Sequence, residues 1–348
     1  MTTPEAPELT RPPEAARRGA PRGPLLSSLR EHRWSAADRA VVVCILAIAM
    51  GVLFLASYSL LLGDPVPHRI DAALVGDPTT NAATVDTMQS VAKDSLAFRQ
   101  YASLPAALRA MDEQTAYATL DVASPTPTLY VASAGGASVA RVLEQITTVD
   151  PAVRVVDTHP LGTADPNGLE AFYLMLVPTI IGFITVFQVR AHAAGLSLRR
   201  WTATIVGLDV AAALVFTLVD GPLLHRLALP VPETWGILAL QLVAVSAFAS
   251  LMQVLIGRWA LLPTWTFFTI LGNSASGGAV APALLPQPFA FVSQWLPSGA
   301  TVDALRDAVY FPSYQHLHPI VVLAAWATAL LAAMLVVSRR RRTSPGDA

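Results

Sequence analysis

Asp209 sits near the middle of a long apolar stretch, and no other residue of this chain is so clearly placed to do chemistry. A carboxylate at membrane depth is costly enough that it normally faces a partner, a cavity or a water path. In the next apolar stretch Ser246, Ser250 and Gln253 recur at i, i+4 and i+7, which puts them on one face of a helix. Asp209 and this stripe predict a substrate or proton route. The same residues also suit plain hydrogen bonding between packed helices, at about 0.6–2 kcal/mol per bond. Asp220 lies about three helical turns beyond Asp209 and points to nearly the same side. Just before Gly221-Pro222, it belongs at an interface where a charge costs little.

Several familiar chemistries are missing. A phosphate-loop ATPase needs a lysine after glycines, and the sole lysine, Lys93, stands between Ala92 and Asp94. Gly272-Asn273-Ser274-Ala275-Ser276 departs from the nucleophile pattern G-x-S-x-G at its last position. No H-E-x-x-H occurs, and His316 with His318 forms an H-x-H pair that lacks a nearby carboxylate or a third histidine in the sequence. A single cysteine, Cys44, excludes an intrachain disulfide and a cysteine-rich metal site. The expectation is a protein that is not an enzyme, holds no metal or cofactor and binds no nucleic acid.

The elements that must position these residues are membrane helices. The chain is 53% apolar and only 14% charged, with mean hydropathy +0.51 over 348 residues. A soluble domain carries roughly 25% charged residues. About 20 apolar residues cross the hydrocarbon, and six segments are predicted to do so: 40–62, 171–189, 201–220, 234–256, 259–280 and 318–338. The arm 1–39 is rich in Pro, Ala, Arg and Glu without apolar periodicity and reads as disordered. Arginine is concentrated on one side: seven in the arm, then Arg190, Arg199, Arg200, Arg258 and Arg339 to Arg342. By the positive-inside rule both termini are cytoplasmic, with 339–348 as a basic tail, which requires an even number of spans. Trp34, Trp201 and Trp259 before spans and Tyr173, Trp235, Trp295 and Tyr310 near outer ends fit headgroup-level rings, or else aromatic core filling.

Residues 63–170 are polar enough to form a domain of their own outside the membrane. They carry six basic against thirteen acidic residues. Strands are predicted at 69–75, 116–122, 128–133 and 153–158, and helices at 82–94, 104–114 and 137–147, in the order β-α-α-β-β-α-β. The fold class is therefore a six-span α-helical membrane bundle with an extracytoplasmic α/β domain inserted between spans 1 and 2. That domain senses, binds a partner, guards a substrate path, or serves structure alone. The segment 281–300 is broken by prolines yet largely apolar, which predicts a broken or re-entrant element at the outer end of the bundle. Asp303 and Arg306, at i and i+3, are spaced to pair on a short helix there. The alternative is an amphipathic helix lying on the surface.

The run Asn273-Ser274-Ala275-Ser276-Gly277-Gly278, then Trp295-Leu296-Pro297-Ser298-Gly299-Ala300, Asp303-Ala304-Leu305-Arg306-Asp307 and Tyr310-Phe311 is distinctive. Together with one N-terminal span, a large external domain and a five-span C-terminal bundle over 171–338, it resembles the permeases of the type-2 ABC exporter superfamily, in particular the phage-infection-protein branch. The resemblance assigns Asn273, Gly277, Gly278, Pro297, Gly299, Asp303 and Arg306 to the shared motif. It implies export through a homodimer in the bacterial plasma membrane, with a separate cytoplasmic ATPase docking between spans 2 and 3. That loop carries Arg190, Gly195, Arg199 and Arg200 but lacks the acidic residue of many members, so action without an ATPase, or with an atypical one, stays open. The expected function is export of an apolar or amphipathic compound. The alternative is a receptor or envelope-assembly protein that does not transport.

Overall fold

The computed structural model describes residues 35–63, 66–193 and 195–343. The expected disordered arm lies outside these residues up to position 34, as do positions 344–348 of the tail. The described residues divide into two units between Ala49 and Met50. Helix α1, Ala36–Leu62, begins four residues before the predicted span. Its start is a reciprocal cap: Asp38 Oδ2 accepts from the Ser35 amide at 2.8 Å and Ser35 Oγ from the Asp38 amide at 3.1 Å.

A five-stranded sheet follows in the chain. Strand β1 (Ile70–Val75) leads through α2 (Ala82–Val91) into β2 (Leu96–Tyr101), then α3 (Leu104–Asp112), β3 (Ala118–Asp121), β4 (Thr128–Val131), α4 (Ala137–Glu144), α5 (Ile146–Val149) and β5 (Arg154–Asp157). The sheet order is β2-β1-β3-β4-β5, with only β3 and β4 antiparallel. Side chains of β1 alternate, as a strand's must. Ile70, Ala72 and Leu74 pack on one face with Met88 and Leu143, while Ala73 and Val75 pack on the other with Ala107 and Met111. Burial on both faces is what parallel strands require.

Strand β2 corrects the predicted order, which had two helices in succession after β1. Of its six residues only Leu96 is fully buried, because β2 is an edge strand, so its apolar signal is thin. Its place is held from outside the strand: the Gln89 side chain donates to the Leu96 carbonyl at 3.0 Å and accepts from its amide at 3.2 Å.

Beyond the sheet come α6 (Glu170–His192), α7 (Leu198–Leu218), α8 (Val231–Ile256), α9 (Leu261–Thr264), α10 (Phe289–Ser293), α11 (Pro297–Tyr310) and α12 (Leu317–Thr343). Arg339 to Arg342, expected in a tail, are therefore helical. Helix α7 continues as a π-turn at Val219–Leu223, where Pro222 lacks an amide to keep the α ladder. Among the described residues five helices are long and apolar enough to cross a membrane: Ala36–Leu62, Glu170–His192, Leu198–Leu223, Val231–Trp259 and Leu317–Arg341. The predicted span at 259–280 is shorter in the structure. Its apolar helix covers Leu261–Gly272, and Trp265–Gly272 is π-wound. Twelve residues rise only about 18 Å. Helix α8 is central, packing on α6, α7, α11 and α12, and 61% of its most apolar window is buried against 22% for α7 and α12.

The segment after Gly272 packs into the sheet. Residues Val280, Ala281, Leu284 and Leu285 are buried in the core of the sheet, so that core is completed by residues far outside 63–170. The Ala281 amide donates to Ser138 Oγ at 2.9 Å and the His68 amide to the Ala283 carbonyl at 3.1 Å. Ten of the fourteen residues of α11 are buried, which rules out a helix lying on the surface. Its entry is tight: a Cβ on Gly299 would fall 2.0 Å from the Ser293 carbonyl oxygen, so only glycine fits.

Candidate functional site

Three helices place Asp209. It projects from α7 and is 2% exposed. Ser246 on α8 donates to Asp209 Oδ1 at 2.8 Å and also lies 3.4 Å from the Gly182 carbonyl of α6. Gly182 makes the approach feasible, since a Cβ there would meet Leu242 Cδ2 at 3.0 Å. The second carboxyl oxygen of Asp209 has no partner, nor have the hydroxyls of Ser250 and Thr202. Buried polar groups are rarely left so.

These orphaned atoms face a cavity. A small hollow of about 10 Å³ is lined by Asp209, Ser246, Ser250, Thr202 and Trp201, among apolar side chains. That volume admits about one water, whose two to four bonds match the groups around it. Next to it is a cavity of about 410 Å³ lined by Ser250, Gln253, Trp201, Met334, Arg190 and Arg341, with further apolar side chains. The two share Trp201, Ser250 and Met334. All four predicted path residues, Asp209, Ser246, Ser250 and Gln253, thus line one of two adjoining spaces. The larger opens where α6 and α8 end, α7 begins and α12 ends.

Trp201 and Thr202 belong to this site too. No polar periodicity marks them, and their position at the start of α7 becomes informative only once the helices are packed. A separate polar ladder lies deeper in the bundle. Thr301 donates to Gln241 Oε1 at 2.9 Å, Gln241 donates to Thr179 Oγ1 at 2.8 Å, and Thr179 donates to the Met175 carbonyl at 2.7 Å. The signal for Gln241 and Thr179 was their polarity inside apolar stretches. Their partners were not visible from spacing. Asp220 is buried in the π-turn and one of its oxygens is unpartnered.

The loop expected to carry Arg190, Gly195, Arg199 and Arg200 is smaller than those residues suggest. Arg190 belongs to α6, while Arg199 and Arg200 belong to the first turn of α7, where Ser197 caps the Arg200 amide at 3.4 Å. Gly195 is exposed with open space around it.

A second pocket, of about 290 Å³, opens between the sheet and α11. Asp303 and Arg306 line it, 3.3 Å apart, and Arg306 also donates to the Gly277 carbonyl at 3.3 Å. Asp307 is 4% exposed and accepts from Gln114 Nε2 at 2.6 Å and from the His316 amide at 3.0 Å. The ring of His316 lies 3.5 Å from the same carboxylate. Along the chain no carboxylate stands close to the H-x-H pair. The fold supplies one, because the turn after α11 carries His316 back over Asp307. Among the described residues no three ligating side chains gather to hold a metal ion. Burial pushes the Asp303 carboxyl up to about 6, against the opposing pull of Arg306, and pushes the Tyr117 hydroxyl up to about 12.

Of the remaining motif residues, Asn273 is buried with neither side-chain amide atom partnered. Gly277 adopts φ +75°, and a Cβ on Gly278 would fall 2.9 Å from Phe172. Pro297 begins α11. No family model, no curated protein and no solved structure matches the chain.

Proposed function

We propose that this protein is a permease-like transporter that moves an apolar or amphipathic compound out across the bacterial plasma membrane. One observation supports it most: Asp209, Ser246, Ser250 and Gln253 line two adjoining cavities that lead from the arginine-bearing end of the bundle to a half-satisfied buried carboxylate. In this reading Leu261–Gly272 and the break after it form a sixth, incomplete span, both termini are cytoplasmic, and the sheet stands outside. The likeness to type-2 ABC exporter permeases implies a homodimer. With a short loop between α6 and α7 and no acidic residue in it, work without a docked ATPase is the favoured version. No enzymatic step is proposed.

The test is efflux from cells expressing the full chain. Asp209→Asn is expected to abolish efflux of an accumulating amphipathic dye while expression and thermal unfolding stay normal. Unchanged efflux at normal expression overturns the role of Asp209. A second reading, a receptor that does not transport, draws on the pocket between the sheet and α11, whose lining includes Gln114, Asp303, Arg306 and His318. It gains if Asp303→Asn alters signalling or envelope phenotypes while efflux is absent in every variant.

A further inference from the structure

The larger cavity differs from the smaller in charge. Arg190 and Arg341 stand at its rim, both exposed, and among the described residues no acidic side chain lines it. This is a property of the whole bundle end: the acidic residues of 171–343 are Asp209, Asp220, Glu233, Asp303 and Asp307, and none neighbours Arg190, Arg199, Arg200 or Arg258 in the chain. Below the rim the walls mix apolar side chains, Leu196, Leu198, Val254, Met334 and one flank of Trp201, with the polar Gln253 and Ser338. At the floor Ser250 is 3% exposed and its hydroxyl is unpartnered. Arg341 already donates to the Leu255 carbonyl at 3.1 Å, which fixes its guanidinium near the opening with donors to spare.

A cationic rim over walls that join apolar side chains to the polar Gln253, Ser250 and Ser338 fits neither a cation nor a purely apolar molecule. We infer that this cavity takes a lipid-like anionic amphiphile, its phosphate or carboxylate head held by Arg190 and Arg341 and the start of its chain lying against the apolar side chains of the walls. The inference rests on the transport reading for its purpose and names the class of substrate. Guanidinium and phosphate match in planar, two-point geometry, and such charge-assisted bonds are about twice as strong as neutral ones. A cavity of about 410 Å³ holds a head and a few methylenes, so the rest of the chain stays in the bilayer beside α7 and α12. Asp209 lies farther in, on the smaller hollow of about 10 Å³, which is too small to take the head.

Trp201 reports on occupancy. The full chain in detergent is titrated with brominated phosphatidylglycerol or brominated phosphatidylcholine, and quenching lost in Trp201→Phe is taken as the cavity signal. Half-quenching is expected at about tenfold less of the anionic lipid. The double variant Arg190→Gln with Arg341→Gln is expected to remove that preference, and Arg190→Lys with Arg341→Lys to keep most of it. If the glutamine pair does not fold, loss of the preference in the wild type at high ionic strength carries the same expectation. Equal quenching by both lipids, or a preference that survives the glutamine pair, overturns the inference. Reversal of quenching by millimolar inorganic phosphate also overturns it, since the occupant is then a free anion. Failure here leaves Asp209-dependent efflux untouched, whereas normal lipid preference with efflux indifferent to Asp209 sinks the transport reading alone.

Discussion

Asp209 and Asp307 are both buried carboxylates, 2% and 4% exposed, yet the protein treats them in opposite ways. Asp307 has each oxygen occupied, one by Gln114 Nε2 and the other by the His316 amide. It ties α11 to the turn after α3 and to the turn before α12. Asp209 accepts one bond from Ser246 and leaves its other oxygen facing a hollow with room for about one water. A carboxylate satisfied on all sides holds a joint rigid. One that is half satisfied keeps a place for something that comes and goes. Burial alone therefore does not distinguish structure from function; the account of bonds does.

The comparison breaks first at Asp307. Asp307→Ala strands the Gln114 amide and the His316 backbone amide, and is expected to destabilise by about 3 kcal/mol. Asp209→Asn is expected to cost under about 1 kcal/mol, because it removes a buried charge whose second oxygen had no partner. Thermal unfolding of both variants in the same detergent checks this, and a larger loss for Asp209→Asn reverses the assignment. Gln114→Leu, which takes one donor from Asp307, is expected to lower stability by about 1–2 kcal/mol.

Asp303 sharpens the contrast through pH. Its carboxyl is raised from about 3.8 to about 6 by burial in the pocket. Between pH 4 and pH 6 the unfolded chain therefore releases a proton that the folded chain keeps, so Asp303 makes stability fall as pH rises through that window. Asp303→Asn is expected to stabilise relative to the wild type at pH 7 more than at pH 4; a wild-type-minus-variant difference that is flat from pH 4 to 7 counts against it. The smallest effect belongs to Ser250→Ala. With no partner to lose, it is expected to change stability by under about 0.5 kcal/mol, whereas Thr301→Val, which cuts the bond to Gln241, is expected to cost about 1 kcal/mol. Equal losses in these two show that Ser250 is bonded after all.

Much of this was legible in the order of residues. Long apolar runs mark α1, α6, α7, α8 and α12 because a membrane helix closes its own backbone bonds and needs only its own side chains to be apolar. Strands β1 and β4 were equally plain, each bounded by turn residues. The stripe Ser246, Ser250, Gln253 was readable because helical spacing puts i, i+4 and i+7 on one face whatever packs against it. Strand β2 was not, since an edge strand buries one side chain and borrows its order from β1 and from Gln89.

Three things waited for the tertiary structure, for one physical reason: each depends on groups brought together from far along the chain. The sheet's core is closed by Val280, Ala281, Leu284 and Leu285, which no reading confined to 63–170 includes. Asp307 finds Gln114 from 193 residues away, so a bond that carries one of the larger expected stability effects has no signature in local spacing. The stripe on α8 became a cavity wall only when Trp201 and Met334 enclosed it from α7 and α12. Local pattern determined which segments are helices and which faces are polar. Packing alone decided which buried carboxylate is bonded on every side and which is left with an oxygen to use.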